Sequence, residues 1–411
     1  MKIKAIETNP HESLIYLDRY VNDGSPSGFT EVNKTSSKTD TFSLNRSFKL
    51  LSLVSDENNF KIYGSLKEKI PLAHNQFFIH PDMINHSDLY GCTLEVNKSF
   101  EVSPTSSFRT VKIISENNSD YVKLHYDGKL GRIYRKLNPI RAIAGVEISN
   151  IVKEGITRNL LSDFISIYEE PFAKIFINPK MTNCSEPWGM VWRNSKPSGI
   201  RIKNVKYIIP LFSFWSKDRQ SKQDDSFGTQ LFNIWGTVAI DKSLKQVLMP
   251  TLDAYFELLV NFGLQNEYNA QNILIGFDQD WNAITIILKD MMGIEKDLEL
   301  RKSLGLSTIF DSTPYKVISA SDPLYQKRHS FAFDFKVCTY VIEPLIELAV
   351  ENKLTTKEQL IDAMKQRTSY WLKKLPSDYF PPDIWFSHDN IDISVTENRV
   401  YIENKYPLLR N

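Results

Sequence analysis

Four stretches of this chain bring together side chains that could do chemistry. The first is Ser103 to Thr110 (SPTSSFRT), a run of hydroxyls closed by a guanidinium. On a strand, alternation puts Ser107 and Arg109 on one face. Arginine offers a planar fork of donors and hydroxyls offer short hydrogen bonds, a set that suits phosphate oxygens. A polar strand start with an exposed arginine is the plainer reading of the same residues. The second stretch, Tyr121 to Leu137, repeats cations at Lys123, Arg132 and Arg135. Focused into a cleft they would suit a polyanion; spread along a solvated strand they would do little. The third is Glu267-Tyr-Asn269-Ala-Gln271-Asn272, followed by a hairpin pattern that ends in Lys289-Asp290. Oxygen donors before one strand and after the next meet at one end of a hairpin. Asn272 and Asp290 are hard ligands of the kind Mg²⁺ takes beside phosphates and water. An Asn-rich turn with a surface Lys-Asp pair is the alternative. The fourth is His80-Pro81, a histidine held extended by its proline that titrates in a useful range; a lone histidine is more often structural.

These groups need a scaffold, and its pattern changes along the chain. Phe77–Ile79, Phe108–Ile114 and Tyr121–His125 read as strands. Asn22–Asp40, rich in Ser, Thr, Gly and Asn, reads as a loop. Leu160, Leu161, Phe164 and Ile167 recur at helical spacing, so a helix is expected over Asn159–Tyr168. Strands are expected at Ala173–Ile177, Gly189–Trp192 and Tyr207–Phe212, and an amphipathic helix over Leu244–Gly263. Ile273–Phe277 and Ala283–Leu288 flank a polar turn at Asp278–Asn282, a hairpin pattern. Val337–Glu351 reads as a helix with Pro344 as a kink or first-turn residue. Another helix opens at Thr355-Thr356-Lys357-Glu358 as a capping box and runs to about Lys374. Ile391–Asn404 alternates like a terminal hairpin. The fold class is α+β: a β-rich N-terminal half, fingers-like, packed on a mixed, helix-rich C-terminal half, palm-like, with the active site in the cleft between them. The expected division is residues 1–138, carrying nucleotide-binding strands, and 139–411, carrying the metal-binding hairpin and helices.

Composition narrows the function. The 411 residues carry 50 Lys+Arg against 49 Asp+Glu. That balance argues against bulk nucleic-acid binding, which needs a basic field. No internal repeat is evident. No apolar run is long enough for a membrane span, and the first twenty residues lack the apolar core of a signal peptide; a cytoplasmic location is expected. Cys92, Cys184 and Cys338 are too scattered for a metal set or a disulfide framework.

Taken in order, these motifs resemble the aerobactin-synthetase-type ligases, the peptide-synthetase-independent siderophore synthetases. Phe78-Ile-His80-Pro81 matches the front of the family's His-Pro-Trp-Gln element. Ser107-Phe-Arg109-Thr110, after Pro104-Thr105, matches its Ser-x-Arg-Thr element. Lys123-Leu124 and Arg135 fit the register of its next strand, and Gly145 its following glycine. Gly189–Arg193 resembles a strand that ends Arg-Glu in the family, with Asn194 here in place of the Glu. Glu267, Gln271, Asn272, Asp290 and Gly293 keep the pattern Glu-x-His-x-Gln-Asn, strand pair, Arg-Asp. The resemblance runs from His80 to the last helix. Asn269 stands where the family has His, Lys289 where it has Arg, and Gly131 where it has Thr. The family's N-terminal region with its His-Pro-x-His element is missing or much shortened. These departures fall on the acid-binding side and put the usual citrate substrate in question.

The resemblance implies an ATP-dependent carboxylate–amine or carboxylate–alcohol ligase forming AMP and pyrophosphate, in siderophore or related natural-product biosynthesis. It implies ATP and Mg²⁺ as cofactors, and a small carboxylic acid and an amine or alcohol as partners. Nucleic acid and membrane are not among the expected partners; a homodimer is compatible with the family's habit. It assigns phosphate contacts to Ser107, Arg109, Thr110, Lys123 and Gln271, with Arg109, Lys123 and Arg135 catalytic. It assigns the acid to His80, Arg135, Asn269 and Lys289, and the metal to Glu267, Asn272 and Asp290. Two other readings stand beside it. One is a kinase-like phosphotransferase, against which stands the lack of a Gly-rich loop and a His-x-Asp element. The other is a non-catalytic, ligand-binding relative that partners another ligase.

Overall fold

The computed structural model describes residues 1–21, 47–65, 76–107, 109–114, 119–130, 133–180, 186–218, 225–266, 268–386 and 407–410. The chain opens with two helices, α1 (Ile3–Thr8) and α2 (Pro10–Tyr20). Strands follow at β1 (Phe48–Val54), β2 (Phe60–Gly64), β3 (Gln76–Ile79), β4 (Thr93–Pro104), β5 (Thr110–Ile113), β6 (Tyr121–Lys123), β7 (Lys129–Leu130) and β8 (Ile133–Tyr134). Beyond the helix Pro139–Thr157 come β9 (Ile165–Ile167), β10 (Phe172–Phe176), β11 (Trp188–Arg193), β12 (Tyr207–Pro210), β13 (Leu264–Gln265), β14 (Ile273–Phe277) and β15 (Ala283–Leu288). The mixed α+β class expected from the sequence is the observed one.

The largest sheet has eight antiparallel strands in the order β2-β10-β11-β6-β5-β4-β1-β3. It takes strands from both sides of residue 138. The period of two explains its packing. Phe172 and Phe176 of β10, and Trp188, Met190 and Trp192 of β11, enter one core with Phe77, Phe78 and Val122. The intervening Ala173 and Val191 face the other way, against Ala142 and Val146 of the helix Pro139–Thr157. That helix lies close to the sheet, because a Cβ on Gly189 would come within 2.9 Å of the Ala142 Cβ and the Leu137 carbonyl oxygen. Its far face enters a second, larger core through Ile148, Val152 and Ile156. Residues of α1 and α2 (Ile3, Ile6, Leu17) join this second core, with the sheet β12-β14-β15-β9 and the C-terminal helices.

Several expectations change. Asn159–Tyr168 is not a helix: Asn159 adopts φ 55°, and Ile165–Ile167 forms β9, parallel to β15. Its apolar residues matched helical spacing by coincidence; Ile165 and Ile167 are both fully buried, as a strand inside a sheet requires. The helix that exists here, Pro139–Thr157, announces itself by Asn138 at the cap and Pro139 at the first turn. The strand near Phe108 begins at Thr110, so Ser107 and Arg109 lie in a turn rather than alternating on a strand. The Leu244–Gly263 helix is continuous with a π-helical stretch at Ser243–Leu248 ahead of Pro250, a place where a wider turn tolerates a residue without an N–H; Gly263 ends it in the left-handed region. The Val337–Glu351 helix is part of a helical run that starts at Tyr325. The last helix spans Lys357–Leu372, capped by Thr356, whose hydroxyl accepts from the Gln359 N–H; the box is one residue later than expected. The Ile273–Phe277 and Ala283–Leu288 hairpin is present as read. The Asn22–Asp40 loop, Cys184 and the Ile391–Asn404 hairpin lie outside the described residues. Among the described residues, no helix is long and apolar enough to cross a membrane.

The helix Pro139–Thr157 links the two cores, so its start is a sensitive point. Asn138 Oδ1 accepts the Arg141 N–H at 3.1 Å. Asn138→Ala is expected to lower stability by about 1 kcal/mol, and Asn138→Ser to restore most of it, as read by urea unfolding.

Candidate active site

One cavity of about 290 Å³ collects residues from α2, the turn before β5, β6, β11 and the open end of the β14–β15 hairpin. Its wall is built first by strand register. Thr110 of β5 pairs with Lys123 of β6, which pairs with Val191 of β11; Tyr121 pairs with Arg193. Paired residues and those two apart share a face, so Thr110, Tyr121, Lys123 and Arg193 project from the same side of the sheet. The Thr105–Thr110 turn is tied by its own hydroxyls. Ser107 Oγ accepts the Thr110 N–H at 3.2 Å, and Thr105 Oγ1 donates to the Thr110 carbonyl at 2.8 Å. Arg109 is thereby turned inward, and its Nη1 donates to the carbonyl of Arg135.

The hairpin supplies the opposite wall. Ile273 pairs with Leu288, and the Lys289 N–H donates to the Asn272 carbonyl at 3.0 Å, so Asn272 and Lys289 face each other at the end of the ladder. Asp290 follows in the left-handed region, φ 65°. That turn carries its carboxylate onto Lys123 Nζ, which also lies 2.8 Å from the Met292 sulfur. Arg193 stands 3.7 Å from the same Asp290 oxygen and donates twice to Glu170, at 2.7 and 3.1 Å. A chain of charges, Lys123–Asp290–Arg193–Glu170, thus crosses from sheet to hairpin. Gly145 is the helix position that lets Glu170 in: a Cβ there would sit 2.5 Å from its Oε2.

Electrostatics follow from burial. Arg109 is pushed down to about 10 by burial and by Arg135, against the pull of Asp290. Burial also lowers Lys123, to about 8, despite Asp290 beside it. Burial works to raise Asp290, yet Lys123, Arg193 and Arg109 hold it well below the usual carboxylate range. For Arg193 the order is the same: burial lowers, Glu170 and Asp290 more than offset it, and the net shift is upward.

The cavity brings together ten of the twelve residues singled out from the sequence. Ser107, Arg109, Thr110, Lys123 and Arg135 line it from the sheet side, and Asn269, Gln271, Asn272, Lys289 and Asp290 from the hairpin side. His80 is elsewhere. It is buried at the end of β3, where its Nδ1 accepts the Asp82 N–H at 3.2 Å and its ring meets Tyr126 edge-on. Glu267 lies outside the described residues. Sequence reasoning missed Asp18, Tyr121, Arg141 and Tyr168, which also line the cavity, and Glu170, which holds Arg193. Only Glu169-Glu170, two carboxylates beside an apolar strand, left a local signal; Asp18 is one acid on a surface-like helix pattern.

Known proteins resemble this chain in part of its sequence and in its fold. Residues 93–212 match the model of the IucA / IucC family. The match covers 120 of the 411 residues. The matched residues hold the Ser107–Thr110 turn, Lys123 and Arg193, so the aerobactin-synthetase-type resemblance holds where the sheet side of the cavity is built. No curated protein sequence matches the chain. Solved structures share its fold. The petrobactin biosynthesis protein AsbB of Bacillus anthracis is 16% identical, with a TM-score of 0.64 over 82% of this chain and 63% of its own. The ATP-bound aerobactin synthetase IucA of a hypervirulent Klebsiella pneumoniae pathotype is 13% identical, with a TM-score of 0.66 over 91% and 73%. The aerobactin synthetase IucC of the same pathotype gives 13% and 0.63, over 88% and 69%. The chain therefore spans less than two thirds of AsbB and rather more of the two aerobactin synthetases.

A cavity with buried cations should bind a polyanion in a pH-dependent way. Lys123 is charged below its pKa of about 8 and neutral above it. Pyrophosphate affinity, measured by calorimetry, is expected to fall as pH rises through that value. Lys123→Met should weaken binding at pH 7 and flatten this step.

Proposed function

We propose that this chain is an ATP-dependent ligase of the siderophore-synthetase type, which adenylates a small carboxylic acid and condenses it with an amine or hydroxyl. One observation carries the reading: residues from separate segments of the chain, Arg109, Lys123, Arg135, Gln271, Asn272 and Asp290, line one cavity. Support also comes from the match to the family model over residues 93–212 and from the fold shared with an aerobactin synthetase solved with ATP. The cytoplasm is the setting that such chemistry suits. In the fingers-and-palm reading, the eight-stranded sheet serves as fingers and the hairpin with its helices as palm.

In the first step an oxygen of the acid bonds to the α-phosphorus of ATP, the bond to the β-phosphate oxygen breaks, and pyrophosphate leaves. In the second the nucleophile attacks the acyl carbon, loses a proton, and AMP leaves. Two anions must meet in the first step, so positive charge has to be in place beforehand. Arg109 and Lys123 hold phosphate oxygens, with Ser107, Thr110 and Gln271 donating hydrogen bonds. Arg135 holds the acid, with Asn269 and Lys289 nearby, since a guanidinium pairs with a carboxylate in a planar fork. Fixing both reactants in one pocket supplies much of the rate.

Mg²⁺ fits the donors present. One carboxylate, Asp290, and one amide, Asn272, form the sparse protein set that this ion accepts when phosphates and water fill its other positions. Among the described residues no group of three His, Cys, Asp or Glu forms a dedicated metal cage. Bound there, Mg²⁺ would neutralise phosphate charge, and Glu267 would add a further oxygen.

Arg109→Ala is expected to abolish acid-dependent pyrophosphate release, with hydroxylamine as acceptor, while circular dichroism stays native; near-normal turnover would break the assignment. ADP in place of AMP and pyrophosphate would make the chain a phosphotransferase. Arg135→Ala should raise the acid KM by at least about tenfold with little change for ATP. An unchanged acid response in steady-state kinetics would take Arg135 out of the site.

A further inference from the structure

Arg135 comes to the cavity from a narrow ribbon that leaves the large sheet after β6 and returns ahead of the helix Pro139–Thr157. The ribbon is the pair β7–β8, with Lys129 opposite Tyr134 and Leu130 opposite Ile133. Next to that pair, the Arg135 N–H donates to the Gly128 carbonyl at 3.0 Å. One step nearer the sheet, Lys136 Nζ lies 3.1 Å from an oxygen of Asp127. At the base, the Leu137 carbonyl accepts from His125 Nδ1 at 3.1 Å and from the Gly189 N–H at 2.6 Å. The Asp127 oxygen that meets Lys136 also lies 3.3 Å from His86 Nε2. His86 caps the short helix Ser87–Leu89, where its Nδ1 accepts the Asp88 N–H at 3.2 Å. That leaves Nε2 to carry the ring proton toward Asp127. Asp88 in turn accepts from Trp188 Nε1 at 3.0 Å, and Trp188 of β11 stacks on His125 with ring centres 4.4 Å apart. The carboxylate of Asp127 therefore joins both chains of the ribbon to a third segment that is itself tied to the sheet.

We infer that Asp127 is a positioning residue for Arg135: its carboxylate, shared by His86 and Lys136, sets where the β7–β8 ribbon holds that guanidinium at the cavity wall. A two-stranded ribbon is marginally stable by itself, so its placement depends on the ties at its base. Asp127 is not on the cavity wall; it acts through Arg135 and touches no substrate. The Arg135 carbonyl also accepts from Arg109, so the same ribbon braces two arginines of the site. The inference rests on the ligase reading for the role of Arg135 in holding the acid, and on the contacts alone for the placement.

Hydrogen exchange over residues 128–137, followed by mass spectrometry on the full chain, reads the placement without turnover. Asp127→Ala should speed it by about tenfold and leave β10 unchanged. Pyrophosphate release, with hydroxylamine as acceptor and whichever of succinate or citrate supports it, reads the consequence. Asp127→Ala should raise the acid KM by about fivefold in the wild-type background. The same change should raise it by less than about twofold once Arg135 is alanine, because residues that act through one contact do not add. If Asp127→Ala fails to fold, Lys136→Gln, at a side chain 43% exposed, carries the same test. Unchanged exchange in a folded variant, or an acid KM effect as large without Arg135 as with it, overturns the proposal. Faster exchange with no pyrophosphate release, or with an acid KM that neither Asp127→Ala nor Arg135→Ala moves, supports the placement and refutes the ligase role given to Arg135.

Discussion

The contact between Asp290 and Lys123 is the constraint on which the site depends. It is the point where the hairpin meets the eight-stranded sheet inside the cavity, and Arg193 and Glu170 extend it into the helix packing. Four charges alternate in sign, of which Lys123, Arg193 and Glu170 are buried while Asp290 is 29% exposed at the cavity wall. Deleting Arg193 would strand Glu170 as a buried, unpaired charge, a loss on the order of 3–5 kcal/mol. The arrangement also explains a glycine that composition cannot: Gly145 leaves room for Glu170, which orients Arg193, which helps keep Asp290 ionised.

The same burial makes the cavity electrostatically prepared. Seven lysine and arginine side chains line it against two carboxylates among the described residues. Four of the seven cations are paired, Lys123 with Asp290, Lys289 with Asp18, Arg193 with Glu170 and Lys316 with Glu295, while Arg109 and Arg141 make no ion pair among the described residues. Because the donors are fixed by strand register, turn hydrogen bonds and packing, little reorganisation is needed when charge arrives. A chain whose total charge is close to neutral therefore gathers many of its cations at one cavity.

The N-terminal helices give this pocket a wall from the far end of the sequence. Leu17 anchors α2 in the larger core, while Leu14, Ile15 and Asp18 face the cavity. One helix thus serves both packing and charge placement. Its acid reaches Lys289, the residue after β15, while its Leu14 packs with Leu274 and Ile287 of the hairpin.

Residue types and local spacing determined a good deal. The hairpin was legible because two short apolar runs flank Asp278–Asn282, and their pairing puts Asn272 and Asp290 at one end. The ordered motifs around Ser107–Thr110, Lys123 and Gln271–Asn272 pointed to the residues that line the cavity. The helix Pro139–Thr157 was not legible from periodicity, because it buries Ala142 and Val146 on one side and Ile148, Val152 and Ile156 on another, which blurs a single apolar stripe. His80 looked reactive but is a buried cap, a distinction set by what packs around it. Only the tertiary structure decided that Asp18 pairs with Lys289 and Glu170 with Arg193. Such contacts join residues that no periodicity links; they come from the way strands and helices stack, and charge in a protein acts through space rather than along the chain.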